Sequence, residues 1–215
     1  MLQNKLLSKE WKMKIIRKSS EDEMLLEYLK SEINSKRFSE RLENTLTELN
    51  ISKDIIINGN LENEDENKKR KLIMEKFRGY PTEDIFERFP KEIKWSYVEF
   101  EDGDIDKIFY LNWEYWNEIS NYTSKPTEAA KNIYNGIEIF DVSNEPYFNG
   151  LKYLENNNKF NPIVALTCNG EKFVLIEGHS RMTVYGMKPE LFVGSFGYIG
   201  YCSDEDMEIY DSRMV

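Results

Sequence analysis

Five consecutive residues, Glu177-Gly178-His179-Ser180-Arg181, gather a carboxylate, an imidazole, a hydroxyl and a guanidinium around one glycine. An acid and the only histidine of the chain can exchange protons with a substrate. The guanidinium offers a planar fork of donors suited to phosphate, and serine is a helix-capping residue type. Before this group, Phe173, Val174, Leu175 and Ile176 form a short apolar run, as a strand covered on both faces would. After it, Met182, Val184, Tyr185 and Met187 recur at spacings a helix can bury. The group therefore sits where a strand hands over to a helix. The first N–H groups of a helix have no internal partner and carry a partial charge of roughly +0.5, so an anion docks there. A phosphate site with Glu177 or His179 as its acid–base residue is the functional expectation. The same residue types also suit a plain capped junction, with Arg181 paired to a surface carboxylate.

The flanking sequence supplies the elements that would position this turn. Tyr147, Leu151 and Leu154 make a short helical stripe, and Pro162 opens a strand through Leu166. Asn169-Gly170 is a hairpin signal that returns the chain into the 173–177 strand. A last strand is expected over 193–201, where Gly194, Gly197 and Gly200 would let a ligand or a neighbouring backbone approach. The acidic stretch 204–211 is expected as a surface helix.

Upstream, Trp11 to Ile15 alternates like a strand, and Ser20 opens a helix carrying Met24, Leu25, Tyr28 and Leu29. Further helices are expected over 36–49, from the acidic 61–66 segment to Phe77, and over 126–134. Ile55-Ile56-Ile57 suggests a short buried strand or a packed loop, and residues 95–100 have strand composition. Trp113, Trp116 and Ile119 share a helical face. With no Lys or Arg interleaved, that face belongs to a core rather than to a base-stacking surface.

The chain has 215 residues, 40% hydrophobic and 32% charged, enough to bury a real core. Its formal net charge of −10 argues against broad electrostatic binding of nucleic acid. Cys168 and Cys202 fit neither a disulfide framework nor a zinc set, and reduced thiols in a cytoplasmic protein are expected. No apolar run has the length of a membrane span, and the lysine-broken start lacks a signal-peptide core.

The order helix, loop, Asn161-Pro162-Ile163-Val164, hairpin, Val174-Leu175-Ile176-Glu177-Gly178-His179-Ser180-Arg181, then Thr183 to Tyr185, resembles the N-terminal domain of the ParB/sulfiredoxin superfamily. The likeness covers roughly a quarter of the chain, about residues 146–200. It implies an α+β protein: a ParB/sulfiredoxin-like domain with a small mixed sheet over 141–215, and a mainly helical region over 1–140 packed on it. In that superfamily the Gly-x-x-Arg turn holds nucleotide phosphates. Sulfiredoxin uses ATP, ParB partition proteins use CTP, and free-serine kinases use a nucleotide as phosphoryl donor.

Carried over by resemblance, Gly178, His179, Ser180, Arg181 and Thr183 would bind the nucleotide, and Glu177 and His179 would be catalytic. The cofactor implied is a nucleoside triphosphate with Mg²⁺, with no metal site assigned to protein residues. His179 occupies the position of the sulfiredoxin cysteine, which argues against sulfinic acid reduction. Ser180-Arg181 stands where ParB has two arginines, and the few residues after the last strand leave no room for a helix-turn-helix. The function expected is nucleotide binding, with NTP hydrolysis or phosphoryl transfer. The alternatives are a non-catalytic regulatory protein that engages a protein partner through its N-terminal region, or a ParB-like nuclease.

Overall fold

The computed structural model describes residues 13–211. Trp11 and Lys12, where the expected alternation starts, lie outside them; strand β1 runs over Lys14–Lys18. The Ser20 hydroxyl accepts from the Glu23 N–H at 3.2 Å and opens α1 (Glu21–Ile33), whose first turn holds three acids against the positive helix end. Helix α2 spans Ser39–Glu48. The isoleucine triplet forms neither strand nor loop but a one-turn helix, α3 (Asp54–Ile57), started by the Asp54 N–H bonding to the Ser52 hydroxyl. A helical turn spreads its side chains around an axis, so Ile56 is fully buried while Ile57 is 53% exposed. Asn63 caps α4 (Glu64–Arg78), which Gly79 ends.

Strands β2 (Lys94–Glu99) and β3 (Ile108–Phe109) precede α5 (Glu114–Ile119), α6 (Pro126–Tyr134) and α7 (Glu145–Glu155). The expected hairpin follows as β4 (Ile163–Thr167) and β5 (Phe173–Glu177). Helix α8 (His179–Met187) leaves β5 after a single residue, and β6 (Phe196–Tyr201) and α9 (Asp204–Asp211) complete the described chain.

The six strands form one mixed sheet in the order β1-β2-β6-β4-β5-β3, with β4/β6 and β3/β5 parallel and the other pairs antiparallel. The protein is α+β. Three strands of this sheet come from before residue 140 and three from after it, so hydrogen bonding is continuous across the expected boundary. Alternation along β4 and β5 feeds two cores. Ile163, Ala165, Phe173 and Leu175 face α5–α8, whereas Val164, Leu166, Val174 and Ile176 face α1–α4 and α9.

Two surroundings are more buried than the sequence suggests. A Cβ on Gly197 would lie 2.8 Å from the Phe100 ring, and one on Gly200 2.7 Å from Leu166, so these glycines admit neighbouring core side chains. Met207 and Tyr210 of α9 are buried, and the Tyr210 hydroxyl donates to the Ile85 carbonyl at 2.9 Å, which makes α9 part of the core layer. No helix among the described residues is long and apolar enough to cross a membrane.

Candidate functional site

The β5–α8 turn opens into a cleft of about 830 Å³. Ile176 to Arg181 form its floor. The end of α1, the α1–α2 loop and Arg78 of α4 make one wall, and Trp113, Trp116, α7 and residues 159–161 make the other. Both cores contribute, and Trp113 packs against both. The volume falls within the usual range for small-molecule sites.

Gly178, not Ser180, is the N-cap of α8, with φ at +104°. A Cβ there would come 2.8 Å from Ile163, so both the backbone angle and the packing require glycine. Ser180 lies in the first turn and is exposed on the cleft side. A serine cap would have started the helix two residues later; the glycine turn permits an earlier start, as the Met182 N–H bonding to the Gly178 carbonyl at 2.8 Å shows.

Arg181 bends back to form an ion pair with Glu177, both side chains being under one fifth exposed. Its Nη1 also donates to Ser31 Oγ on α1 at 3.1 Å and to the Asn161 carbonyl at 3.3 Å. Burial pulls the guanidinium down to about 10, while Glu27, Tyr185 and Glu32 act in the opposite direction. Even so it is charged at neutral pH.

His179 is half-buried under aromatic rings. Its imidazole stacks on Trp116 at 5.2 Å and lies near-parallel to Trp113 and Tyr110 at 6.2 and 6.0 Å. The Leu111 N–H points at Nε2 from 3.4 Å, which makes Nε2 the acceptor and leaves the proton on Nδ1. Burial, helped by the charge of Arg78, pushes the imidazole down to about 3. The ring is therefore neutral at pH 7 and offers one N–H donor. Thr183 is fully buried behind the turn, off the cleft lining. Its hydroxyl donates to the His179 carbonyl at 2.9 Å and so accepts from Tyr110 at 2.7 Å.

The turn residues expected to act together do lie together, except Thr183. The remaining lining residues had weaker signals or none. Trp113 and Trp116, read as core, also wall the cleft. Lys36, Arg37, Arg78, Lys159 and Glu32 arrive from distant segments with no motif of their own. Among the described residues no group of three or more His, Cys, Asp and Glu side chains could hold a metal ion. Cys168 and Cys202 are free thiols outside the cleft, pushed up by burial to about 11 and about 12. Comparison with protein-family models, with curated proteins and with solved structures returns no match.

Proposed function

We propose that this cleft binds a nucleotide through its phosphates, as the resemblance of the EGHSR turn to the ParB/sulfiredoxin superfamily implies. The observation that carries the reading is charge. In a chain of net charge −10, the cleft is lined by five cationic side chains, Lys36, Arg37, Arg78, Lys159 and Arg181, against two carboxylates, Glu32 and Glu177. The amino end of α8 opens among them, adding unpaired N–H groups and the positive helix end. Trp113 and Phe38 supply flat apolar surface on which a base can stack.

The state of the two acid–base candidates favours binding without turnover. His179 is neutral with Nε2 already accepting, and Glu177 is paired with Arg181. A regulatory module that responds to a nucleotide is the reading most consistent with that geometry. Any Mg²⁺ would be held mainly by the phosphates of the ligand, the usual habit of that ion.

The test is thermal shift against nucleoside triphosphates, with and without Mg²⁺, on wild type and Ser180→Asp. An acid in the first turn of α8 favours the helix but repels phosphate. The expected result is a ligand-induced rise in melting temperature that the variant lacks while staying folded. A ligand at ~100 times its dissociation constant adds about 2.7 kcal/mol, which is readily seen. No shift of the wild type with any nucleotide would refute the reading.

A further inference from the structure

The charged side chains lining the cleft are not equally buried. Glu32 on α1 and Arg78 at the end of α4 are the deepest, each 5% exposed. Arg78 lies over the Phe38 ring at 4.9 Å and meets Asp84 at 3.5 Å, yet its buried Nε has no hydrogen-bond partner. Arg181 is engaged by Glu177. Arg78 and Arg181 act on Glu32 but have their ion-pair contacts with other carboxylates; Arg37 acts on it as well, and the Tyr28 hydroxyl hydrogen-bonds to it. Burial raises the pKa of its carboxyl, opposed by the charges of Arg78 and Arg181. A buried carboxylate and a buried guanidinium whose Nε lacks a partner, both lining the same cleft, are suited to a ligand that matches them.

We infer that Glu32 and Arg78 form a base-recognition subsite that selects guanine. This rests on the nucleotide reading above and adds to it the identity of the base. A carboxylate accepts two hydrogen bonds side by side, and a guanidinium donates. The guanine edge presents two adjacent N–H donors, N1–H and the 2-amino group, next to the O6 acceptor. Glu32 takes the two donors and Arg78 supplies O6. Adenine and cytosine each offer one amino donor beside ring acceptors, which leaves part of the carboxylate facing a lone pair. Uracil offers a single imino donor between two acceptors. Sites built around buried polar groups reject ligands that leave those groups unmatched. Trp113, half-buried in the opposite wall, gives the base a stacking surface.

The experiment is calorimetric titration of the full chain with GTP, inosine triphosphate, ATP and CTP, on wild type, Glu32→Gln and Arg78→Lys. Inosine lacks only the 2-amino group. The expected result is GTP bound at least tenfold more tightly than inosine triphosphate and the other two, with the GTP–inosine difference abolished in Glu32→Gln. Nucleotides that bind wild type without preference, or with ATP or CTP preferred, would overturn the guanine subsite while leaving the phosphate site intact. No binding of any nucleotide would overturn both. The wild-type comparison of GTP with inosine triphosphate decides the matter even if either variant fails to fold.

Discussion

Arg181 folds back onto Glu177 across the glycine turn and from there reaches Ser31 on α1. The residue best suited to grip phosphate thus also ties the floor of the cleft to its wall. Arg181→Ala should destabilise the fold by about 3 kcal/mol, because it leaves a largely buried carboxylate unpaired. Adding Glu177→Gln to Arg181→Ala should restore part of that loss. Urea unfolding of the two singles and the double measures the coupling; strict additivity would show that the pair is not an energetic unit.

His179 is the only histidine, so its ring resonances need no assignment. Its folded value of about 3 lies below the ordinary 6.5. Between those values the unfolded chain binds the extra proton, so this group makes stability fall as pH drops through that window. Above pH 6.5 its contribution is constant. The ring should remain neutral in NMR spectra down to pH 5, with the proton on Nδ1. The stability of wild type should lose about 1 kcal/mol per pH unit relative to His179→Phe between pH 6 and 5. A ring titrating near pH 6.5 would contradict the buried, Arg78-flanked setting.

Gly178 cannot take a side chain without strain. At φ +104° and with Ile163 in the way, Gly178→Ala should cost about 2 kcal/mol, within the range for a residue held in a sparsely populated region. Thermal unfolding checks this, and a variant as stable as wild type would mean that the turn can relax. In the strained variant the amino end of α8 shifts, so ligand affinity should weaken together with stability.

Among the described residues Trp113 and Trp116 line the cleft, and Trp113 is the more exposed of the two and so the better placed to report on it. Binding of a nucleotide should change the emission of wild type, and Trp113→Phe should remove most of that change while altering stability by less than about 1 kcal/mol, as expected for a half-buried, conservative replacement. An undiminished change in the variant would place the base elsewhere.

Much of the local structure was legible without the fold. Ser20 as a cap, the helix starting in the acidic 61–66 segment, Pro126 as a start, Asn169-Gly170 as a hairpin turn and the strand–Gly–helix junction at 177–179 each follow from rules acting within a turn or two. The misreadings were local as well. Ser180 lost the capping position because Gly178 had already turned the chain. Ile55 to Ile57 were read as a run rather than as one turn of helix because three residues carry no period.

The sequence by itself determined that a carboxylate, an imidazole and a guanidinium would meet at the amino end of a helix. That order is written in consecutive residues, and the apolar run before them and the periodic one after them leave few alternatives. Only the tertiary structure decided what those groups can do. Ser31 reaches Arg181 across 150 residues of chain, burial under the aromatic rings and the charge of Arg78 keep His179 neutral, and Glu32 and Arg78 arrive from helices that show only a core stripe. Charge state and hydrogen bonding depend on what lies within a few ångströms in space, and packing on both faces of a six-stranded sheet sets those neighbours.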